Sequence, residues 1–168
     1  PELGLWAVAD GMGGHEAGDI ASQMIVETLQ EIPLPLTWPD FLDSVREALY
    51  NVNRRLREES AQRYQNRTIG STVVVLLAHE NQCACLWVGD SRIYRLRNGE
   101  LEQLTRDHSH VQELVDQGLL TPEEAHRHPL ANVITRAVGS ADDLQIDEVV
   151  HPLQVGDLFL LCSDGLNK

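Results

Sequence analysis

The first part of the chain changes from the pattern of a buried strand to the pattern of a helix. Residues 5–9 are apolar and end abruptly at Asp10, which predicts a short buried strand. The glycine-rich residues 11–14 that follow predict a turn. From residue 16 to about residue 31, apolar side chains recur near helical spacing, so we expect an amphipathic helix there.

A second helix is predicted to begin after Thr37 and to end near residue 59. Thr37 and Asp40 have the spacing of a capping box, with aspartate in place of glutamate, and apolar residues follow at helical spacing. The period then changes. Residues 70–77 form a continuous run rich in β-branched side chains, which indicates a strand in the centre of a sheet.

The remaining strands are short, and the first three are predicted to form an antiparallel meander. They cover residues 83–88, 92–97 and 100–105, with two later strands at 144–150 and 158–162. The pair Asn98-Gly99 has the sequence of a two-residue hairpin turn, so it should join the second and third strands of the meander.

Residues 106–139 interrupt this series of strands and are more polar. Within them, Thr121 followed by proline and two glutamates marks the start of a short helix. We interpret this segment as an excursion from the sheet. Two helices followed by antiparallel strands predict one α+β domain over residues 1–168, with helices packed on a sheet.

The charge of the chain restricts its partners. With 13 lysines and arginines against 26 aspartates and glutamates, the formal net charge is −13. This acidity argues against nucleic acid or an anionic membrane as the main partner, since both require a basic surface. No apolar run approaches the roughly 18 residues of a membrane-spanning helix. Most acidic side chains only solvate the surface, so charge by itself does not indicate a metal site.

The three cysteines are Cys83, Cys85 and Cys162. An odd number without a Cys-x-x-Cys pair argues against a disulfide framework and against a structural zinc site. The first two would share one face of a strand, and we expect all three to be small buried hydrophobic side chains. This pattern fits a reducing compartment, most simply the cytoplasm.

Three aspartates share one pattern, because each follows an apolar strand and precedes or enters a turn with glycine or serine. They are Asp10, Asp90 and Asp164. Carboxylates held at strand ends suit a hard cation such as Mg²⁺ or Mn²⁺. Each motif by itself is more often only a turn, and residues 11–14 could instead bind phosphate at a helix N-terminus. The repetition in three strands favours a metal site over three unrelated turns.

Five short motifs occur in order over nearly the whole chain. They are residues 10–15, Gly70-Ser71-Thr72, Gly89-Asp90-Ser91-Arg92, Thr105-x-Asp107-His108 and residues 161–166. Together they resemble the type 2C metal-dependent serine/threonine phosphatase family in its bacterial branch. The resemblance implies a layered α-β-β-α sandwich of antiparallel sheets flanked by helices. It also identifies residues 106–139 as the family's mobile flap beside the active site.

The resemblance assigns roles to four residues of a metal centre. Asp10 resembles the ligand that two catalytic ions share, and Gly11 resembles the position whose backbone carbonyl binds the second ion. Asp164 resembles a ligand of the first ion. Asp90 together with Asp164 resembles the site of a third ion in bacterial members. The implied cofactors are therefore two Mg²⁺ or Mn²⁺ ions, with a third at Asp90.

The reaction implied by the resemblance is hydrolysis of phosphoserine or phosphothreonine on proteins by a metal-activated water, without a phosphoenzyme. The implied partners are phosphorylated protein substrates and a cognate serine/threonine kinase that the phosphatase opposes. A substrate restricted to one small regulatory protein is left open. The alternative is a catalytically impaired module that binds a phosphorylated partner. The presence of all three aspartates favours the enzyme, since a degenerate module should have lost at least one.

Two parts of the family pattern are absent, so we expect the domain to be truncated at both ends. An Arg…Asn-Glu-Asp segment should precede Pro1, and an Asp-Asn motif should follow Lys168. We therefore expect the intact protein to be a phosphatase and these 168 residues alone to be impaired or inactive. Missing strands would also leave sheet edges exposed.

Three further side chains are candidates for contact with substrate or flap. Met12 stands where several eukaryotic relatives have histidine, and His15 could serve instead or could simply begin the next helix. Arg92 and Arg136 could bind phosphate or could form ordinary ion pairs. His108 is interpreted as a residue of a surface loop rather than a metal ligand.

Overall fold

The computed structural model describes residues 4–33, 37–63 and 68–167, and the side chains of His15 and Asn167 lie outside this description. In chain order the elements are β1 (Leu5–Met12), α1 (His15–Gln30), α2 (Trp38–Arg63), β2 (Gly70–His79), β3 (Gln82–Val88), β4 (Arg92–Arg97), β5 (Glu100–Gln103), α3 (His110–Asp116), α4 (Pro122–His126), β6 (Asp147–Pro152), β7 (Leu158–Cys162) and α5 (Asp164–Asn167). Over these ranges, no helix combines the length and the apolar character needed to cross a membrane.

The strands of the described residues form two antiparallel sheets, with the orders β1-β2-β3-β6 and β5-β4-β7. The predicted meander is therefore wrong between β3 and β4, which lie in different sheets. The chain passes from one sheet to the other at Gly89, whose φ of 110° is accessible to glycine and unfavourable for other residues. The predicted hairpin at Asn98-Gly99 is confirmed, with φ values of 54° and 82°.

Strand β1 is longer than predicted. Asp10 and Gly11 lie inside it and pair with Thr72 and Ser71 of β2, so the first aspartate does not mark the strand's end. The extension follows from the partner strand, because β2 already begins at the glycine before Ser71 and offers β1 a ladder up to that point. The predicted turn is reduced to residues 13–14, both with positive φ.

The two long helices follow the prediction closely at their starts. Helix α2 begins with the expected cap, in which the Asp40 amide donates to Thr37 Oγ1 at 3.3 Å and the Thr37 hydroxyl donates to Asp40 Oδ2 at 2.6 Å. It continues past residue 59 to Arg63, because neither proline nor glycine interrupts that stretch.

Helix α1 packs on β1 through a contact that requires two glycines. A Cβ on Gly11 would collide with the carbonyl oxygen of Gly18, and a Cβ on Gly18 would lie 2.8 Å from the carbonyl oxygen of Gly11. Glycine in a strand often marks such a close approach of another backbone. The contact fixes the end of β1 that carries Asp10 against the first turns of the helix.

Alternate residues of β2 face two different cores. Val73, Val75 and Leu77 pack with the helical side, whereas Val74 and Leu76 pack between the two sheets. The resulting order is helices, first sheet, second sheet, and the predicted α+β class with antiparallel sheets is confirmed. Among the described elements only α1 and α2 form a helical layer, so the other outer layer of the α-β-β-α arrangement is not among them.

The cysteines are free and buried, as predicted. Cys83 and Cys85 both lie in the core between the sheets. Burial raises the pKa of both thiols, and it raises the pKa of Cys85 to about 12. These groups are therefore neutral hydrophobic side chains at physiological pH.

The predicted excursion contains two short helices, α3 and α4, that pack on each other. Ser109 caps the first, and Thr121 with Glu124 forms the predicted capping box of the second. The following strand begins at Asp147 rather than at Leu144, because Leu144 is buried in the helical core and is not paired with a strand.

Candidate active site

Three segments that each carry one aspartate and are far apart in the chain meet at one cavity of 210 Å³. It lies where β1, the turn between β3 and β4, and the end of β7 come together. Its walls are formed by Asp10, Gly11, Met12, Thr72, Asp90, Asn132, Ile134 and Asp164. The structure thus brings together the four residues that were predicted to hold metal, and it adds three that sequence reasoning did not assign: Thr72, Asn132 and Ile134.

Strand pairing explains why Asp90 and Asp164 lie at the same end of the second sheet. Strands β4 and β7 are antiparallel, with Arg92 opposite Cys162. Asp90 lies two residues before Arg92 and Asp164 two residues after Cys162, so both lie just beyond the same end of this strand pair. The pairing of the second sheet therefore delivers both carboxylates to one cavity wall.

The turn that carries Asp90 is packed tightly on β2. Asp90 itself is only 5% exposed. The hydroxyl groups of Thr72 and Ser91 lie 2.7 Å apart in a hydrogen bond, and a Cβ on Gly89 would approach Thr72 Cβ to 2.6 Å. Because Thr72 also pairs with Asp10 across the sheet, one residue of β2 positions two of the three carboxylates.

The cavity brings the negative charges of Asp10, Asp90 and Asp164 close together. Burial raises the pKa of Asp10, and the negative charge of Asp164 raises it further, followed by that of Asp90. A hydrogen bond with Ser163 acts in the opposite direction but does not cancel these effects. A bound cation would offset this repulsion.

The donor set fits a hard divalent cation. The candidate ligands are carboxylate oxygens of Asp10, Asp90 and Asp164 and the backbone carbonyl of Gly11, and oxygen ligands are what Mg²⁺ and Mn²⁺ prefer. Within residues 4–33, 37–63 and 68–167, no three His, Cys, Asp or Glu side chains form a group that could hold an ion by themselves. An ion here would therefore rely on carbonyl oxygen and water as well, which is usual for Mg²⁺.

Comparison with known families decides the relationship of this chain. The model of the family described as "Protein phosphatase 2C" matches residues 2–168. The chain belongs to this family. Among solved structures, "PppA, a key regulatory component of T6SS in Pseudomonas aeruginosa" is 50% identical with a TM-score of 0.89, and the match covers 99% of this chain and 68% of that one.

Other relatives in the protein phosphatase 2C family are also similar over nearly the whole chain. The protein phosphatase PhpP of Streptococcus pneumoniae is 43% identical in an alignment 168 positions long, which covers 96% of this chain and 66% of that protein. The catalytic domain of the serine/threonine phosphatase PstP, solved in complex with two manganese ions, is 37% identical with a TM-score of 0.84, covering 96% of this chain and 67% of that one. The chain thus spans slightly less than two thirds of the length of curated relatives such as PhpP.

In this protein phosphatase 2C chain, Arg92 lies outside the aspartate cavity. It forms a two-pronged ion pair with Asp107, with Nε–Oδ1 and Nη2–Oδ2 distances of 2.9 and 2.7 Å. A third hydrogen bond reaches the hydroxyl of Tyr94. The hydrogen bonds that Arg92 donates to Asp107 raise the pKa of the Arg92 guanidinium against the effect of burial. Arg92 therefore makes the ion pair that the sequence left open, and a contact with phosphate stays a prediction.

Arg136 is also paired, and it is not among the residues that line the aspartate cavity. Its Nη1 donates to Asp147 Oδ1 at 2.8 Å, and the same carboxylate faces His108 Nε2 at 3.1 Å. The interpretation of His108 as a surface residue is wrong, because its side chain is buried and stacks on Trp87 with ring centroids 6.1 Å apart. The candidate side chain of His15 lies outside the described part of the chain.

A second cavity of 380 Å³ adjoins the first beneath α3 and α4. Asn132 lines both cavities. The Arg92–Asp107 pair forms part of its wall, so the two charges there neutralise each other, while Val111, Pro122 and other residues of the flap helices add apolar surface. The flap thus encloses a recess of mixed polarity next to the acidic cavity.

Proposed function

We propose that this chain is the catalytic core of a metal-dependent phosphatase that hydrolyses phosphoserine and phosphothreonine on proteins. The observation that carries the proposal is the convergence of three aspartates on one cavity: Asp10 from β1, Asp90 from the turn between β3 and β4, and Asp164 from the start of α5 after β7. Membership in the protein phosphatase 2C family and the names of relatives such as the serine/threonine phosphatase stp of Listeria support the same reaction.

We assign each of these residues a separate role in binding the cations. Asp10 and Asp164 would hold the catalytic cations, the Gly11 carbonyl would contribute a ligand to the second of them, and Asp90 with Asp164 would hold a third cation. We propose Mg²⁺ or Mn²⁺, for which the manganese complex of PstP provides a precedent. Bound cations of this kind lower the pKa of a coordinated water and offset the charge on phosphoryl oxygens.

The candidate nucleophiles of the cavity wall are the carboxylates of Asp10, Asp90 and Asp164, which we assign to the cations. Of the lining residues described, none is Cys, His or Ser, and the hydroxyl of Thr72 is already bonded to Ser91. This favours direct attack by water over a covalent phosphoenzyme. The adjoining recess, with Asn132 at its boundary, suits a polypeptide around the phosphorylated residue better than it suits an isolated phosphate.

The biological setting proposed here follows from the reaction. A phosphatase for phosphorylated proteins implies one or more phosphoprotein substrates and a serine/threonine kinase that it opposes, and a cytoplasmic location fits the three free cysteines.

The test is phosphate release from a phosphothreonine peptide, with and without Mn²⁺, using the protein with its native flanking sequence. We expect manganese-dependent turnover that falls by about 10²- to 10³-fold in Asp10→Ala, because the loss of one preorganised group that stabilises charge at the reacting centre typically costs that much. Asp143→Ala removes an exposed carboxylate away from the cavity and should leave turnover unchanged.

Two outcomes would contradict the proposal. Turnover in Asp10→Ala equal to that of the unaltered protein would exclude the aspartate cavity as the active site. Mn²⁺ binding without turnover would instead support the alternative, a phosphatase-fold module that binds a phosphorylated partner. Repeating the assay with residues 1–168 alone would test the expectation that they are impaired.

A further inference from the structure

His108 holds the turn that carries Asp90 through two hydrogen bonds with Gly89, and these two bonds are called the clamp below. The amide of Gly89 donates to His108 Nδ1 at 3.0 Å, and the amide of His108 donates to the carbonyl oxygen of Gly89 at 2.9 Å. Both backbone polar groups of Gly89 are therefore bonded to one residue from the root of the flap. Gly89 is the residue directly before Asp90, and it is the point where the chain passes between the sheets.

The hydrogen bond from the Gly89 amide determines the tautomer of the His108 imidazole. Because Nδ1 accepts a hydrogen bond from an amide, it carries no proton, and the ring proton must be on Nε2. Nε2 faces Asp147 Oδ2 at 3.1 Å, which gives that proton an acceptor. Burial lowers the pKa of His108, although the hydrogen bond to Asp147 acts against it, so the neutral ring is the stable form at physiological pH.

The imidazole is itself held from two directions. Trp87 stacks on one face of the ring, and the Trp87 indole donates to the carbonyl of Arg106 at 2.8 Å. Asp147 is held by Arg136 from the other root of the flap, while the amide of Thr135 donates to the carbonyl of His108 at 2.8 Å. The ring therefore links both roots of the flap to the turn before Asp90.

The conformation of the turn depends on its hydrogen bonds with His108. Gly89 has a φ of 110°, and its Cα packs on Thr72, so the conformation is one that the surroundings must maintain. Removing the acceptor would leave the Gly89 amide buried and unpaired, and the turn could recover a partner only by moving. A movement there would displace the carboxylate of Asp90 from the cavity.

We propose that His108 is a positioning residue whose neutral ring fixes the turn before Asp90, and that Asp90 can hold a divalent cation only while this turn is fixed. The inference rests on the proposed function insofar as Asp90 is taken as a cation ligand. It assigns His108 no contact with substrate or with the reacting atoms.

Two substitutions of the same residue separate the hydrogen bond from the packing. His108→Phe keeps the ring and its stacking on Trp87 but removes the acceptor. His108→Asn loses the ring but can place its amide oxygen close to the position of Nδ1, so it should restore the bond to Gly89. Asp90→Ala defines the ion that depends on Asp90, and Val45→Ala, in the fully buried helical core, is a control for general destabilisation.

The measurement is Mn²⁺ binding in the absence of substrate. The concentration of free Mn²⁺ is measured by electron paramagnetic resonance, with the protein in its native length. We expect the affinity of the Asp90-dependent ion to fall about tenfold in His108→Phe, equivalent to about 1.4 kcal/mol. The other ions should bind as before. His108→Asn should stay within about threefold of the unaltered protein, as a retained hydrogen bond would allow. Val45→Ala should lower Tm without weakening this ion.

Hydrogen exchange of the Gly89 amide provides a readout that needs no metal. The amide should be protected in the unaltered protein and in His108→Asn, and it should exchange faster in His108→Phe. Unchanged exchange in His108→Phe, equal losses in both His108 variants, or an equal loss in Val45→Ala would each overturn the inference. If the unaltered protein binds no Mn²⁺, the proposed function fails as well. If it binds and turns over but His108→Phe matches it, only the role of His108 is lost.

Discussion

At the scale of single residues, the close contact between β1 and α1 gives the sharpest prediction. Gly11→Ala should destabilise the fold by about 3 kcal/mol, because the added methyl group meets the backbone of Gly18, which cannot move aside as a flexible side chain would. Gly118→Ala is the matched control. That glycine has a φ of 70° but open space around its Cα, so it should cost only about 1 kcal/mol of conformational strain. Urea unfolding measures both, and equal costs would mean that the backbone contact contributes nothing.

The same scale shows what sequence reasoning could find. Asp10, Asp90 and Asp164 were predictable because each lies in a short run whose neighbours already indicate a strand and a turn. The role of His108 was not predictable, because it depends on partners at positions 89 and 147 that only the fold brings together. Its motif was visible in the sequence, but the motif carries no information about which atoms the ring contacts.

At the scale of elements, the errors lie where strands end or change sheets. Local pattern predicted β3 and β4 as neighbours, since consecutive strands usually pair. The sheet switch at Gly89 depends on the packing of the turn on β2, which no local pattern contains. Strand β1 exceeded its apolar run because its length is set by the partner strand, and Asp10 could enter the ladder because its carboxylate faces a polar cavity and not the apolar core.

An ion pair between elements predicts how stability depends on pH. Arg97 of β4 donates to both carboxylate oxygens of Asp157, at 2.7 Å each, in the turn between β6 and β7. These bonds lower the pKa of Asp157 to about 2, despite the opposing effect of burial. A depressed pKa stabilises the folded state above the unfolded value of 3.8, and this contribution disappears as the pH falls toward 2.

Asp157→Ala should therefore be less stable than the unaltered protein at pH 7, and the difference should shrink between about pH 4 and pH 2. Urea midpoints measured across that range provide the check. Asp143→Ala, which removes an exposed carboxylate, should show a much smaller difference at every pH. A difference for Asp157→Ala that persists at pH 2 would assign its effect to lost packing or to the hydrogen bond with the Gln154 amide.

At the scale of the whole molecule, the contact between the two sheets brings acidic residues that are distant in the sequence into one cavity. The repulsion between these residues lowers the stability of the folded protein. The sequence predicted the class of the fold from its helices and strands, and the resemblance supplied the sandwich. Neither could supply the energetic consequence. With a net charge of −13 and a raised pKa at Asp10, the metal-free protein contains repulsion that the rest of the structure must overcome.

A cation that binds only the folded state should therefore raise the thermal stability of the chain. At a concentration one hundred times its dissociation constant, Mn²⁺ would contribute about 2.7 kcal/mol, or roughly 5 to 10 °C in Tm for a domain of this size.

Asp10→Ala removes both a ligand and a source of repulsion. Its metal-free Tm should equal or exceed that of the unaltered protein, while its shift with Mn²⁺ should largely vanish. Asp143→Ala should shift as the unaltered protein does. A lower metal-free Tm in Asp10→Ala would show that Asp10 stabilises the fold through contacts of its own, and an undiminished Mn²⁺ shift would place the ion elsewhere.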